Sequence, residues 1–400
     1  QTQTQTKTQT QTQTKTQTKT QTKTQTQAQK QKQTQTHTKT QTQTEMEMEM
    51  EMEMAECDVR HQVPGVVLST GGYTGNVYHE FNDGLIPLYL TVGHLHGEVV
   101  LLILEYHSWW MTKYKEVIER LTHYKVVDMS TDPRTHCFRE LKVGLNIHDE
   151  LTIHPPNNVT HFPTNHTLLA LSLSVHPLLS MQDFRDNVLR AAYLPKRESS
   201  LSKLALHASS PTRAVIRPAP PFHTSSRPKL VIVSRKRPRA LLNEKDVVRL
   251  AARLGFAVSV VAPKSSSEMA DLYWDLNTCD VMLGVHGAAM THLLFMRPGS
   301  VFIQVVPIGT AWAASTYYGE PARKFGLEYV EYKVQPRESS LWHKYGPHHP
   351  VLSDPESVNR KGWWETKRVY LEDQDVTISL RSIRPILQHA LTRRRAISHA

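Results

Sequence analysis

The segment from residue 280 to residue 306, DVMLGVHGAAMTHLLFMRPGSVFIQVV, holds the groups in this chain that are best suited to binding an anion. Its apolar run at 281–285 predicts a strand covered on both faces, and a short helix is predicted from about residue 289 to residue 296. Because the free N–H groups at a helix start attract phosphates, the turn between them is a candidate anion site. That turn contains His286, Gly287 and Ala288. The alternative is a tight turn of an α/β fold with a packed histidine.

A second candidate for binding phosphate is the basic loop that follows a predicted strand at 229–234. We expect three guanidinium groups to gather at the end of this strand, those of Arg235, Arg237 and Arg239. Guanidinium groups bind phosphate oxygens in a fork, and two of them can neutralise a diphosphate without a metal ion. A solvated basic loop is the alternative, but this loop and the His286 turn both lie at strand ends in one half of the chain. Farther along, Asn243 is expected to cap a helix at 244–254.

Two polar residues near the start of the ordered chain form a candidate proton-transfer pair. A helix is predicted from Asn76 to Tyr89, and His79 and Asp83 lie one turn apart on it. A carboxylate in that position orients an imidazole and raises its basicity, which general base catalysis requires. Glu80 lies beside them and can replace either residue in this role. The alternative is a helix whose polar residues face solvent.

Strands and helices alternate along much of the remaining chain, which favours a parallel α/β fold. Residues 1–54 are Gln-Thr and Glu-Met repeats without apolar periodicity, and we predict that this tail is disordered. A stretch at 195–228 that is rich in Ser, Pro and Arg is the best linker. We therefore predict an N-terminal α/β domain at 57–225, with an irregular insertion at 155–180, and a Rossmann-like domain at 228–388.

The charge and motif content of the chain narrow the classes of partner. The formal net charge of +10 suits phosphorylated or polyanionic partners. Nucleic acid is a poor candidate, because the sequence contains no zinc-finger spacing, no RNP-like aromatic strand and no basic helix with heptads. The histidine pairs have no third ligand at useful spacing, so no metal site is predicted. No apolar stretch reaches the length of a membrane span.

Cysteines and sequons give weak information about the compartment. The three cysteines exclude a dense disulfide framework, although one bridge between Cys57 and Cys137 can form. Asn158 and Asn165 begin two sequons, and they are candidate glycosylation sites if the chain enters the secretory pathway.

Three motifs follow one another along this chain, GGYTGNVYHEFND at 71–83, VSRKRPRALLNE at 233–244 and GVHGAAMTH at 284–292. Together they resemble the motifs of the family 61 glycosyltransferases of plants, and they occur in that family's order. The resemblance covers residues 57–154 and 181–388. It implies a B-type glycosyltransferase fold, in which two Rossmann-like domains face a cleft and the C-terminal domain holds a UDP-sugar.

The resemblance also implies an activity. It is an inverting transfer of arabinofuranose or xylose from the UDP-sugar to a cell-wall polysaccharide such as xylan, with no metal cofactor. The alternatives are an N-glycan core β-1,2-xylosyltransferase and an inactive carbohydrate-binding relative. Members of the family are type II membrane proteins of the Golgi, so we expect a Golgi location and an anchor that is not part of this chain.

The family motifs imply a role for each candidate residue named above. The residues expected to contact the diphosphate or uridine are Arg235, Arg237 and Asn243. The residues expected to line the same pocket are His286, Gly287 and Ala288. His79 and Asp83 would face the acceptor, whose hydroxyl proton a base must remove, while positive groups stabilise the leaving diphosphate. The chain departs from the family pattern at 1–54, where an anchor is expected, and at 155–180, where a shorter connection is expected.

Overall fold

The computed structural model describes residues 56–72, 74–153, 179–196, 227–264 and 267–398. Several predictions from the sequence fall on residues that lie outside this part of the chain, namely the tail at 1–54, the sequons at Asn158 and Asn165, nearly all of the insertion at 155–180 and most of the linker at 195–228.

The described residues form strands in chain order that we number β1 (Val59–Arg60), β2 (Gly65–Ser69), β3 (Val100–Leu104), β4 (Val127–Asp128), β5 (His136–Cys137), β6 (Leu141–Val143), β7 (Lys229–Val233), β8 (Ala257–Val261), β9 (Val281–Val285), β10 (Val301–Val306) and β11 (Glu328–Lys333). They pair in parallel throughout, as the alternation of strands with helices predicts. The fold is therefore of the α/β class.

Two larger sheets carry the fold. The first has the order β4-β3-β2-β6 and the second has the order β11-β10-β9-β7-β8. In the second sheet Val281 of β9 lies opposite Leu230 of β7 on one side and opposite Val301 of β10 on the other. Because all strands of a sheet point the same way, the loops that follow them gather at one edge, where ligands of such sheets bind.

Helical segments connect the strands. The α-helices are Val77–His79, Ile86–Val92, Ser108–Lys113, Lys115–Leu121, Met181–Asp183, Glu244–Leu254, Met269–Asn277, Ala311–Ala314, Glu320–Lys324, Leu341–Tyr345, Pro350–Ser353, Pro355–Asn359, Trp363–Thr366 and Leu380–Ser398. The 3-10 helices are Gly93–Leu95, Ala288–Phe295 and Pro336–Glu338, and the π-helical segments are Glu80–Leu85, Phe184–Arg190, Ser315–Gly319 and Lys367–Leu371. None of the helices within the described residues is both long and apolar enough to span a membrane.

The helix predicted at 244–254 is confirmed, and those predicted at 76–89 and 289–296 form with local differences in helix type. Between β3 and β4 the helical region divides at Tyr114, whose side chain is fully buried and whose hydroxyl bonds to Glu80. The helix predicted from Asn76 to Tyr89 contains the π-helical turn at Glu80–Leu85. Such turns widen a helix locally and are frequent at functional sites. Gly255 ends the helix at Glu244–Leu254 with φ of 112°, a left-handed conformation that glycine adopts readily.

A hydrophobic core shared by both sheets holds the fold together. One face of the second sheet contributes Met282 and Phe302 to this core, while the other face packs on a separate cluster. Phe81 and Phe295, both fully buried, meet edge to face with their centroids 5.9 Å apart. Burying one such ring stabilises the fold by about 2 kcal/mol. The segment after β2 is thereby held against the 3-10 helix after β9.

Among the described residues, 56–61 and 133–137 group as a small unit, and both larger sheets belong to the other unit. In the described part of the small unit β1 pairs with β5, and a disulfide bond joins Cys57 to Cys137. The sequence named this bridge as a possible one, and the structure forms it. The prediction of separate domains at 57–225 and 228–388 stays a prediction, because both sheets belong to the second unit.

Candidate active site

The two loops predicted to bind phosphate lie next to each other at one edge of the second sheet. β7 lies between β8 and β9, so the chain order reverses at the boundary between β7 and β9. Open α/β sheets bind ligands in the crevice at the carboxyl ends of the strands where this reversal occurs. The basic loop follows β7 and the His286 turn follows β9, so both border this crevice.

Arg235 joins the two loops. Its Nη1 donates a hydrogen bond of 3.2 Å to the carbonyl oxygen of His286. The same nitrogen lies so close to Gly287 that a Cβ atom there would be 2.1 Å from it and 3.5 Å from Nη2 of Arg239. Gly287 has φ of 151°, in the region that favours glycine. A side chain at this position would displace Arg235, so the glycine allows two guanidinium groups to meet over the turn.

The two guanidinium groups retain donors that the described residues do not satisfy. The Nε atoms of Arg235 and Arg239 are buried and have no hydrogen-bond partner among these residues. Burial lowers the pKa of Arg235, and burial together with the neighbouring charge of Arg235 lowers the pKa of Arg239 to about 10. Like charges with unsatisfied buried donors are costly, and an anion that bridges them relieves this cost. Arg239 also has a left-handed backbone with φ of 62°, a strain typical of functional sites.

A buried hydrogen-bonded chain fixes the imidazole of His286. Gln304 on β10 is fully buried, and its Nε2 lies 2.9 Å from His286 Nδ1. Tyr329 on β11 donates to Gln304 Oε1 at 2.6 Å, a distance typical of an O–H···O bond, so the amide nitrogen faces the histidine. Gln304 therefore donates to Nδ1, and the imidazole carries its proton on Nε2.

His286 is neutral at physiological pH. Burial, followed by the charges of Arg239 and Arg235, lowers its pKa to about 3. The ring of Tyr318 packs against it edge to face at 5.5 Å. His286 therefore serves this site as an uncharged hydrogen-bonding group, and the positive charge comes from the arginines.

The buried histidine makes stability depend on pH. Between the folded pKa of about 3 and the unfolded value of 6.5, the unfolded chain takes up a proton that folded His286 does not. Stability is therefore lost as pH falls from about 6.5, and from pH 7.5 to pH 5.0 we expect a loss of ~2 kcal/mol from this residue alone. Urea denaturation at both pH values should show the parent losing ~2 kcal/mol more than His286→Gln. Equal losses in the two proteins would contradict the burial of His286. His292, whose pKa is lowered to about 4 by burial, contributes equally to both.

Two of the predicted phosphate ligands have structural partners instead. Arg237 turns outward with its side chain 76% exposed, and its Nε lies 2.9 Å from Asp375 Oδ2. Asn243 occupies the N-cap position, but its side chain forms no cap. Instead it bonds to both backbone groups of Ile378, donating to the oxygen at 2.8 Å and accepting from the nitrogen at 3.1 Å. The structure thus brings Arg235 and Arg239 together with the His286 turn, and Arg237 and Asn243 hold the loop to the segment near residue 376.

The helix predicted after the His286 turn is a 3-10 helix that begins at Ala288. Ala288 and Ala289 line a cavity of about 340 Å³, together with Gly75, Asn76, Val77, Lys113, Pro263, Lys264, Met269, Leu272 and His292. The lining comes from the loops after β2, β8 and β9 and from neighbouring helices. Free N–H groups at the helix start and two lysines give this cavity a positive character.

The predicted proton-transfer pair is formed. His79 Nδ1 lies 2.6 Å from Asp83 Oδ2, and Asn82 Nδ2 donates to Asp83 Oδ1 at 2.8 Å. The carboxylate at Nδ1 selects the tautomer in which Nε2 carries the lone pair, which is the arrangement of a histidine base. Both residues line a cavity of about 140 Å³ at the carboxyl end of β2, together with Leu68, Ser69, Thr70, Gly71, Gly72, Thr74, Glu80, Gly84 and Trp110.

Glu80, the third candidate for the base, is buried and bonded on both oxygens. Lys113 Nζ lies 3.0 Å from Oε2, which also accepts from Tyr114, and the backbone N–H of Gly75 donates to Oε1 at 3.1 Å. The oxygens of this carboxylate are thus occupied by three donors, one of them cationic. Glu80 therefore fastens the glycine turn to the helix, and the geometry favours His79 as the base.

Aromatic rings connect the pair to the arginine crevice. The Tyr78 ring lies 5.2 Å from that of His79 and 5.8 Å from that of Tyr318, which in turn contacts His286. The proton-transfer pair and the two arginines are therefore separated by two tyrosine rings. Within the described residues no group of three His, Cys, Asp or Glu side chains is placed to hold a metal ion.

The comparison with known proteins identifies the family. The sequence model of Glycosyltransferase 61 matches residues 78–303, which is more than half of the chain and contains all three motifs in whole or in part. The protein belongs to this glycosyltransferase family.

Several plant proteins are similar to this chain. The xylan glycosyltransferase MUCI21 of Arabidopsis thaliana is 47% identical over 83% of the chain. From Oryza sativa subsp. japonica, the beta-1,2-xylosyltransferase XYXT1 and the alpha-1,3-arabinosyltransferase XAT3 are each 34% identical over 84% of the chain. The chain spans 62%, 64% and 52% of the lengths of these three relatives. The glycosyltransferase SsfS6 of Streptomyces sp. SF2575 covers 84% of this chain and 99% of its own at 13% identity, with a TM-score of 0.25.

Proposed function

We propose that this protein transfers a pentose, xylose or arabinofuranose, from a UDP-sugar to a xylan chain. Family membership supports a glycosyl transfer, and the names of the relatives support a pentose and xylan. The observation that carries the proposal is the meeting of Arg235 and Arg239 at Gly287, in the crevice at the carboxyl ends of β7 and β9. Two guanidinium groups with unsatisfied donors suit the two phosphates of a nucleoside diphosphate.

In this proposal the two sheets belong to two Rossmann-like domains, and the substrates meet in a cleft between them. The donor diphosphate lies against Arg235, Arg239 and the start of the 3-10 helix at Ala288. The arginines stabilise the negative charge that develops on the diphosphate as the glycosidic bond breaks. His286 donates a hydrogen bond from Nε2 without adding charge. No metal ion is assigned to this step.

The acceptor in this proposal lies beside His79. An inverting transfer needs a base that removes the proton of the attacking hydroxyl while the leaving group departs from the opposite face of the sugar. His79 Nε2 takes this proton, and Asp83 stabilises the imidazolium that results, as its 2.6 Å contact with Nδ1 allows. The product then has the opposite anomeric configuration to the donor.

The proposal places the protein in the Golgi, inside the secretory pathway. The disulfide bond between Cys57 and Cys137 supports an oxidising compartment, because such bonds are rare in the cytosol. The proposal includes a type II membrane anchor, as the family resemblance implies.

A transfer assay with two acceptors tests the proposed function. The purified protein is incubated with UDP-xylose or UDP-arabinofuranose, with xylohexaose or an N-glycan core as the acceptor, and products are identified by mass spectrometry and NMR. We expect one pentose on xylohexaose with inverted configuration. Transfer to the N-glycan core alone would favour the alternative acceptor, and UDP binding without any transfer would favour an inactive carbohydrate-binding relative.

A further inference from the structure

An exposed tryptophan lies near the proton-transfer pair. Trp312 keeps 41% of its surface exposed on the helix Ala311–Ala314, which follows β10 at the ligand-binding edge of the second sheet. Its ring lies 5.8 Å from that of Tyr317, and the Tyr317 ring lies 5.4 Å from that of Tyr78. Tyr78 contacts the His79 ring. A row of aromatic rings thus leads from the exposed indole to the candidate base.

A carboxyl group acts electrostatically on the middle of this row. Burial and then the charge of Glu150 raise the pKa of Tyr317. Glu150 Oε2 is buried and has no hydrogen-bond partner among the described residues, and burial raises the pKa of this carboxyl. An unsatisfied carboxyl oxygen is equipped to bind a hydroxyl group.

The turn that carries Glu150 is held on two sides. Asp149 lies 3.9 Å from Lys324, which belongs to the helical segments that carry the rings. On the other side the N–H of Leu151 donates to Asn82 Oδ1 at 2.8 Å. Asn82 is the residue that also holds the carboxylate of the proton-transfer pair. Glu150 is therefore fixed between the rings and the candidate base.

We propose that Trp312, Tyr317 and Glu150 form a binding subsite for one pyranose unit of a neutral polysaccharide acceptor. The subsite rests on the proposed function, because it would seat the acceptor next to His79. A pyranose presents an apolar face of C–H groups, which stacks on an exposed aromatic ring, and an edge of hydroxyl groups, which a carboxyl group binds. The two carboxyl groups at residues 149 and 150 make an anionic ligand unsuitable here.

Calorimetric titration with xylohexaose in the presence of UDP tests this subsite. We expect Trp312→Ala to weaken xylohexaose binding roughly tenfold, and Trp312→Tyr to recover most of this loss because it restores a ring. Glu150→Ala should weaken binding roughly fivefold, as loss of a hydrogen bond to a hydroxyl does. The Kd for UDP should not change in any of the three variants.

Tyr124→Ala is the matched control. Tyr124 is 39% exposed and bonds to Glu98, next to the start of β3 at the opposite edge of the first sheet. The subsite is wrong if Trp312→Ala binds xylohexaose as tightly as the Tyr124→Ala control, or if the parent binds neither xylohexaose nor cellohexaose. If the parent binds xylohexaose through Trp312 but transfers no pentose, the subsite stands and the proposed function fails.

Discussion

Replacing His79 with alanine is expected to lower kcat by ~10²- to 10⁴-fold and to leave the Kd for UDP unchanged. His79 is the candidate base whose Nδ1 is oriented by a carboxylate, that of Asp83. The measurement is the steady-state transfer of pentose to xylohexaose, together with calorimetry for UDP. Asp83→Asn should lower kcat by a smaller factor, because it disturbs the tautomer but keeps the imidazole.

The structure offers a close control for this experiment. His123 and Glu98 also form a histidine-carboxylate pair, at 3.3 Å, but both side chains are largely exposed, next to the start of β3 and away from the carboxyl edge. His123→Ala should have normal kcat. The assignment of the base would be overturned if His79→Ala kept normal kcat, or if its effect were confined to KM while Glu80→Gln abolished turnover.

Loss of either crevice arginine is expected to weaken UDP binding strongly. Arg235→Ala and Arg239→Ala each remove a largely buried cation that has an unsatisfied donor and lies in the proposed diphosphate crevice. Removing one partner of a buried charged hydrogen bond costs roughly 2–4 kcal/mol, which corresponds to a ~30- to 1000-fold increase in the Kd for UDP. Since both arginines act on one ligand, the double variant should lose less than the sum of the two single effects.

Arg237→Ala distinguishes the structural assignment from the one made by motif alone. Arg237 lies on the same loop and carries the same charge, but its exposed side chain pairs with the buried carboxylate of Asp375. We expect Arg237→Ala to change the Kd for UDP less than about threefold, because an exposed guanidinium that pairs with Asp375 adds little to binding in the crevice. If Arg237→Ala matched Arg235→Ala in its effect, the diphosphate would be bound by a different part of the loop.

The strands and helices that carry the site were predicted from the sequence more accurately than the directions in which its side chains point. The apolar run at 281–285 and the strand at 229–233 were predictable because strands buried on both faces consist almost entirely of apolar residues. Their order in the sheet then placed the two loops side by side. His79 and Asp83 were predictable as a pair because helical spacing alone brings residues four apart together.

The directions of the three arginines were not predictable from the sequence. In a regular extended loop Arg235, Arg237 and Arg239 would all point to the same side. The left-handed backbone at Arg239 and the pairing of Arg237 with Asp375 break this pattern, and neither can be seen in the sequence. Gln304 was missed for a related reason. Gln304 contacts His286 only because β10 lies beside β9 in the folded sheet. The local sign in the sequence is a polar glutamine within an otherwise apolar buried strand.

The central claim is that the crevice between β7 and β9 binds the diphosphate of the donor, and the most direct test is a crystal structure with UDP soaked in. The account predicts that oxygens of the diphosphate lie within hydrogen-bonding distance of Arg235 and Arg239, over Gly287. UDP bound at the glycine turn after β2, or anywhere else on the protein while this crevice stays without it, would contradict the account.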